Sequence, residues 1–194
     1  GKLGCLLIQL PPKFKIDAIG DLERFFEILP KEFQFAVEFR DLSWMSVETW
    51  KLLSKHDVAY TIVDEPLLPP EVKVTSKIAY FRWHGKGRRP WFDYRYKAEE
   101  LKPWIPKVKE TAATAEKVYG YFNNHYHGYA VENCLQIMEM LGAATPEQAE
   151  MRKKVTRHVN GEGEPHTSTL EAFIKPRQAT LENMLHYFVP AERL

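Results

Sequence analysis

The stretch that decides the predicted fold is Val58-Ala59-Tyr60-Thr61-Ile62-Val63-Asp64. It is apolar or β-branched until its last residue, and Pro66 follows, which is typical of a strand that is buried on both faces. Comparable apolar runs lie on both sides of it along the chain. The predicted strands are residues 5–10, 33–39, 58–64, 77–84 and 117–122. Such a series, with helical patterns in between, indicates parallel strands that are joined by crossover helices.

Helical patterns occupy most of the sequence between these strands. The predicted helices are residues 21–29, 46–53 and 128–141, and residues 99–116 are a mostly helical stretch interrupted by Pro103 and Pro106. Pro30 ends the first of them, Ser46 can cap the second, and Gly142 ends the last. The expected fold is therefore α/β, with about five parallel strands and their crossover helices.

The end of the chain has a purely helical pattern. Thr145-Pro146-Glu147-Gln148 is a capping box with proline at the first helical position, and it predicts a helix to about Val159. A second capping box begins at Ser168. We therefore expect an α/β domain in residues 1–142 and a helical extension in residues 143–194. The extension is expected to pack on the first domain, or alternatively to be a regulatory or dimerising arm.

Composition excludes several classes of protein. The 194 residues include 27 Lys and Arg against 26 Asp and Glu, so the net charge is only +1 and a globally basic nucleic-acid binder is excluded. No apolar run approaches the roughly 20 residues that span a bilayer, so no membrane partner is expected. Cys5 and Cys134 lie far apart in apolar surroundings and indicate neither a disulfide framework nor a zinc site. They suit a reducing compartment, and a cytoplasmic location is expected.

Polar side chains follow or close every predicted strand. They are Gln9, Glu38, Arg40, Asp64, Arg82, His84, Asn123 and Asn124. The carboxyl ends of parallel strands meet at one edge of a sheet, where α/β proteins bind their ligands. Two arginines among these groups favour a small anionic ligand. The alternative is a structural ion-pair network, Glu38 with Arg40 or Asp64 with Arg82.

The leading hypothesis is an enzyme, a hydrolase or lyase that acts on a phosphate- or carboxylate-bearing substrate. Glu38 or Asp64 would be the general base and His84 the acid, unless His84 is only a buried histidine bonded to a neighbouring carboxylate. Arg40 and Arg82 would hold the anion. The remaining substrate-binding candidates are Gln9, Tyr80, Asn123 and Asn124.

No cofactor is identified, and no metal is assigned. A metal site would have to combine Glu38, Asp64 and His84 with His125 or His127. The two later histidines are not spaced as a helical pair, so this signal is weak.

The loop in residues 85–109 supports a second hypothesis, nucleic-acid binding or processing. Arg88, Arg89, Trp91 and Tyr94 combine cations for phosphates with rings for bases. The alternative is a lid whose aromatic rings pack down while its charges face water. A third hypothesis is a non-catalytic ligand-binding or interaction protein.

An ordered set of motifs resembles the YecE-like proteins, the domain-of-unknown-function-72 family. The motifs are Gln9-Leu10-Pro11-Pro12, Ala36-Val37-Glu38-Phe39-Arg40, Val63-Asp64-Glu65-Pro66, Tyr80-Phe81-Arg82-Trp83-His84-Gly85 and Val118-Tyr119-Gly120-Tyr121-Phe122-Asn123-Asn124. The resemblance implies a TIM-type (β/α) barrel whose mouth carries Glu38, Arg40, Asp64, Arg82, His84 and Asn124, and it brings no settled activity.

The resemblance covers only the C-terminal part of the family domain. Roughly three further β/α units precede the Gln9-Leu10-Pro11-Pro12 motif in the family, and an eight-stranded barrel needs them to close. A partial barrel is therefore expected, with the missing units present in a longer gene product or supplied by a partner chain.

Overall fold

A computed structural model describes residues 3–88 and 90–162 of the chain. Its five strands are all parallel and lie in chain order across one sheet. They are β1 (Leu6–Gln9), β2 (Phe35–Glu38), β3 (Val58–Asp64), β4 (Ile78–Trp83) and β5 (Lys117–Phe122). Parallel strands in this order form half of a barrel. The predicted α/β fold is confirmed, and β3 and β5 have the predicted bounds.

Within the described residues, six α-helices accompany the sheet. They are α1 (Ile19–Glu27), α2 (Val47–Lys55), α3 (Ala98–Leu101), α4 (Trp104–Ala112), α5 (Tyr129–Leu141) and α6 (Pro146–Val159). The predicted helical stretch over residues 99–116 is interrupted at Pro103 as expected, because Pro103 stands between α3 and α4 and has no N–H to continue the first. Pro106, the second predicted interruption, lies inside α4. Among the described residues, no helix has the length and apolar character needed to cross a bilayer.

Two predicted helix starts are confirmed by their hydrogen bonds. The Ser46 hydroxyl accepts from the Thr49 amide ahead of α2. Thr145 and Gln148 form the reciprocal capping box ahead of α6, and Pro146 is the first residue of that helix. The second predicted capping box, at Ser168, lies outside the described residues.

The two faces of the sheet have different surroundings. One face packs on the helices and forms the main core, to which Val37, Tyr60, Ile62, Phe81 and Trp83 contribute. We call the opposite face the inner face. Its buried residues are Ala36, Ala59, Ile78 and Tyr80, and Cys5, Leu7 and Tyr119 pack against them. Side chains alternate along a strand, so this division also decides which strand-end residues can meet.

Trp44 anchors the segment that follows β2. Its ring is fully buried and stacks on Phe39 at 4.6 Å and on Phe14 at 5.7 Å between ring centroids. Its indole N–H donates to the Phe14 carbonyl oxygen at 2.7 Å. The ring therefore ties the segment after β1 to the segment after β2.

Replacing Trp44 with alanine should lower the free energy of unfolding by about 3–5 kcal/mol, because a large buried ring is lost and a cavity remains. Urea unfolding measures this change. Leu42→Ala is the matched control on the same turn, since Leu42 is 61% exposed, and it should change stability by no more than about 0.5 kcal/mol. Equal losses in the two variants would show that Trp44 is not an anchor.

Candidate functional site

Strand alternation brings most of the predicted polar residues to the inner face. Glu38 and Arg40 follow Ala36 at intervals of two residues, and Arg82 and His84 follow Tyr80 in the same way. Gln9 stands opposite Glu38 in the register of β1 and β2. The result is a cluster of side chains at the carboxyl ends of β1, β2 and β4, which we call the inner-face cluster.

Glu38 is the centre of this cluster. Its side chain is almost fully buried, and three neighbours donate hydrogen bonds to its two oxygens. Gln9 Nε2 and Arg40 Nη2 donate to Oε1 at 3.0 and 2.7 Å. Arg82 Nη1 donates to Oε2 at 2.6 Å. The carboxylate thus holds together side chains from three strands or their ends, and two of those side chains are cationic.

These contacts keep Glu38 ionised. Burial alone would raise the pKa of its carboxyl, but the proximity of His84 and the ion pair with Arg82 outweigh burial and lower it from 4.5 to about 2. A carboxylate that is this well satisfied is a weak general base near neutral pH. It is better suited to fixing the two guanidinium groups in place.

His84 has one ring nitrogen bonded and the other without a hydrogen bond. Nδ1 lies 3.2 Å from Asn123 Nδ2, and with that amide as the donor, the neutral ring carries its proton on Nε2. Nε2 is buried, makes no hydrogen bond, and lies 3.5 Å from Glu38 Oε2. The ring is thus oriented by Asn123, with Nε2 facing Glu38 and making no hydrogen bond.

Glu65 is a member of the site that the strand-end pattern did not single out. It is 8% exposed, and its Oε1 is buried without a hydrogen-bond partner. Burial raises the pKa of its carboxyl, while the charges of His84, Arg40 and Arg82 oppose that rise. Thr61, Val63 and Glu65 follow one another at intervals of two residues, so they share one face of the strand. This spacing could have identified Glu65 from the sequence. The prediction had instead taken the last residue of β3, Asp64.

Asp64 lies on the opposite face of the sheet, as its interval of two from Tyr60 and Ile62 requires. Its Oδ1 pairs with Lys86 Nζ at 3.1 Å, and its Oδ2 is buried without a hydrogen-bond partner. Arg82 bonds to Glu38 rather than to Asp64, so the predicted alternative of an Asp64–Arg82 pair is wrong. The structure does not bring Asp64 into the inner-face cluster.

Asn124 also lies on the face of the sheet that packs on the helices, which we call the helix side, and there it holds the loop after β4. Its Nδ2 donates to the Tyr94 carbonyl oxygen at 2.7 Å and to Asn133 Oδ1 at 2.9 Å. The Asn133 amide in turn bonds both the N–H and the carbonyl of Tyr96. These contacts fasten the loop to α5. Asn123 and Asn124 therefore act on opposite faces, one on His84 and the other on this loop.

The loop proposed for nucleic acid has several of its groups engaged within the protein. Arg95 makes a bidentate ion pair with Glu132 of α5, and Lys86 pairs with Asp64. Tyr94 packs edge-on against Tyr96 at 5.1 Å between ring centroids. Arg88 is exposed, Trp91 is half-buried, and Arg89 lies outside the described residues. Nucleic-acid binding stays a prediction.

The histidines after β5 do not join the cluster into a metal site. His125 Nδ1 lies 3.0 Å from the Asn123 carbonyl oxygen, and its ring stacks on Phe92. His127 lies 3.9 Å from Asp93. Within residues 3–88 and 90–162, no group of three or more His, Cys, Asp or Glu side chains is arranged to hold a metal ion.

The described residues form an α/β half-barrel of parallel strands, with a charged cluster at the carboxyl ends of those strands. The sequence profile of the family described as "Protein of unknown function DUF72" matches residues 1–157. The chain belongs to this family, as its motifs predicted.

Individual relatives agree with this assignment. The UPF0759 protein YunF of Bacillus subtilis is 27% identical, over 72% of this chain and 58% of that protein. A DUF72 family protein of Thermotoga maritima has a crystal structure with a TM-score of 0.67 and 36% identity, over 71% of this chain and 57% of its own. The crystal structure of a DUF72 family protein of Enterococcus faecalis has a TM-score of 0.67 and 26% identity, over 74% of this chain and 62% of its own. The chain thus spans about three fifths of the length of these relatives.

The depressed pKa of Glu38 predicts a specific acid sensitivity. Because the folded state lowers this pKa from 4.5 to about 2, ionised Glu38 stabilises the fold at pH values above about 4.5. That contribution, about 3 kcal/mol, is lost as the pH falls from about 4.5 through about 2. Urea unfolding of wild type and Glu38→Gln should therefore differ most above about pH 5, and the difference should shrink toward pH 2.

Glu23→Gln is the control, because Glu23 is an exposed carboxylate that pairs with Lys55 on the surface. It should show little difference from wild type at any pH. A Glu38→Gln difference that is constant between about pH 5 and pH 2 would contradict the role given to the ionised carboxylate.

Proposed function

We propose that the inner-face cluster binds an anionic ligand at the mouth of a TIM-type barrel. We further propose that the protein is a hydrolase or lyase that acts on a phosphate- or carboxylate-bearing substrate. The observation that carries the proposal is that Arg40 and Arg82 share the single buried carboxylate of Glu38. Arg40 and Arg82 carry two positive charges against the one negative charge of Glu38, so these three groups keep an excess of one positive charge. A bound anion would neutralise that charge.

The two arginines have donors to spare for such a ligand. Each guanidinium carries five N–H groups, and each donates to Glu38 through only one of its terminal nitrogens. The Arg40 side chain is 31% exposed and the Arg82 side chain 13%, so both reach the surface of the inner face. Because Glu38 holds both groups in place, little side-chain freedom would be lost when an anion binds.

His84 is the proposed acid–base group. Its Nε2 is the unbonded nitrogen that faces the cluster, and the other nitrogen is held by Asn123. Nε2 can give a proton to a leaving oxygen or take one from water, while the guanidinium groups stabilise negative charge that develops beside it. Glu38 and Gln9 would position these groups. Tyr80 would form the floor beneath Arg82.

The helix-side residues have a supporting role in this proposal. Asp64 holds Lys86, and Asn124 fastens the loop that contains Tyr94, so both shape the rim of the site. In this proposal, Asp64 and Asn124 have this supporting role in place of the direct catalytic or substrate contact that the sequence suggested for them.

We further propose that additional β/α units complete the barrel around the inner face. Supporting this, Leu6 of β1 and Tyr121 of β5 are 37% and 43% exposed on the two outer strands of the half-barrel. A long unprotected strand edge is a liability that proteins normally cover. Such units would come from a longer gene product or from a partner chain. The free thiols of Cys5 and Cys134 suit a cytoplasmic location for this protein.

Inorganic phosphate should bind the full chain, as measured by calorimetry near neutral pH. Replacing Arg40 with alanine should weaken binding about 10- to 100-fold, because one charge-assisted contact is lost. Arg24→Ala is the matched control, since Arg24 is exposed on α1 and pairs only with Asp21 among the described residues, and it should leave binding unchanged. No binding by wild type, or equal binding by the Arg40 and Arg24 variants, would contradict the anion site.

Turnover separates an enzyme from a non-catalytic ligand-binding protein. In a screen of phosphate and carboxylate esters and of β-substituted carboxylic acids, His84→Ala should abolish turnover and leave phosphate bound, because Nε2 moves the proton and the arginines hold the anion. Thermal unfolding of this variant should change little. Saturable phosphate binding with no turnover of any substrate would support the ligand-binding alternative. A His84→Ala variant with full turnover would exclude the catalytic role.

A further inference from the structure

Glu65 presents an acidic group that the proposed acid–base step does not use. It follows the last residue of β3, between the end of β2 with Glu38 and the end of β4 with Arg82 and His84. The carboxyl group is more than nine-tenths buried, and its Oε1 makes no hydrogen bond. A buried, unbonded carboxylate oxygen is costly if the group is charged, and much less so if the group is protonated.

The charged and titratable groups around Glu65 are of both signs. The cluster contributes Arg40 and Glu38 from the end of β2, and Arg82 and His84 from the end of β4. Burial and the negative charges of Glu71, Glu65 and Glu38 raise the pKa of the Tyr60 hydroxyl in β3. Burial and Glu38 raise the pKa of the Glu65 carboxyl, whereas His84, Arg40 and Arg82 act to lower it. Glu65 therefore responds to any change in the charge of the cluster.

A bound anion would make such a change. An ionised Glu65 would consume the one positive charge that Arg40 and Arg82 retain beyond Glu38, and would repel a second anion from the same guanidinium groups. A protonated Glu65 leaves that charge available and offers an O–H donor in addition. Ligand and ionised Glu65 thus compete for the same cations.

We propose that Glu65 is the proton-carrying residue of the anion site, neutral whenever an anion is bound and donating its proton in a hydrogen bond to an oxygen of that anion. This inference rests on the proposed anion site and deepens it. Binding of an oxyanion, whether sulfate, phosphate or carboxylate, is coupled to the uptake of one proton by Glu65. The site therefore discriminates by protonation, and it binds oxyanions more tightly in mildly acidic than in alkaline solution.

Sulfate is the probe that tests this coupling, because it takes up no proton between about pH 5 and pH 8 and any pH dependence comes from the protein. Calorimetric titration of the full chain should show affinity that falls as the pH rises, approaching tenfold per unit above the pKa of Glu65. Glu65→Gln keeps a neutral group in place, so it should bind sulfate at pH 8 at least as tightly as wild type does, with a flatter pH profile. Glu48→Gln, an exposed carboxylate of α2, should keep the wild-type profile.

His84 is the competing source of a bound proton, so His84→Asn is titrated in parallel. The inference holds if His84→Asn keeps a falling profile and Glu65→Gln loses it. It is overturned if Glu65→Gln keeps the wild-type profile and His84→Asn flattens it. Failure of wild type to bind sulfate or phosphate at any pH would remove the anion site itself, which is a distinguishable result.

A second measurement follows the Glu65 carboxyl in the wild-type protein. Carbon-detected NMR of glutamate-labelled protein follows the carboxyl of Glu65 directly, and its signal can be identified by its absence from Glu65→Gln. Saturating sulfate should move the titration midpoint of this carboxyl to higher pH. An unchanged midpoint in the presence of bound sulfate would overturn the proposal even if the pH dependence of affinity were found.

Discussion

The buried carboxylate of Glu38 is the constraint on which the rest of the site depends. A charge at that depth is stable only when it is paired and hydrogen-bonded, so the ends of β1, β2 and β4 must supply the partners. Parallel pairing in simple order makes this possible, because it brings Gln9 opposite Glu38 and the strand ends to one edge. Fold and cluster are thus mutually dependent: without the register the carboxylate has no partners, and without the partners it could not be buried.

The sheet separates two sets of strand-end residues that serve different purposes. On the inner face, guanidinium, imidazole and carboxyl groups surround Glu38 and form the proposed anion site. On the helix side, Asp64 and Asn124 hold Lys86 and the loop around Tyr94. The two sets alternate along the same strands, as Asn123 and Asn124 show. Adjacent residues in the sequence can therefore belong to chemically unrelated environments.

Much of this arrangement could be predicted from the sequence. The strands, their parallel order and the family followed from apolar periodicity, turn residues and ordered motifs. Glu38, Arg40, Arg82 and His84 were predicted to meet because intervals of two residues and strand-end positions are local properties. Glu65 was missed because Asp64, the last residue of β3, was predicted as the acidic group at that strand end. The partner offered for Arg82 was Asp64, whereas the structure pairs Arg82 with Glu38, because the pairing depends on the face to which each carboxylate points.

The sequence by itself therefore determined the half-barrel of parallel strands, the edge at which the polar residues gather and the family to which the chain belongs. These follow from periodicity and chain order, which are properties of neighbouring residues. Only the tertiary structure decided which face of the sheet meets the helices, and with it that Glu38 is saturated by donors while His84 Nε2 and Glu65 Oε1 are not. The physical reason is that hydrogen bonding and burial depend on contacts between strands far apart in the chain, and these exist only after the sheet has assembled.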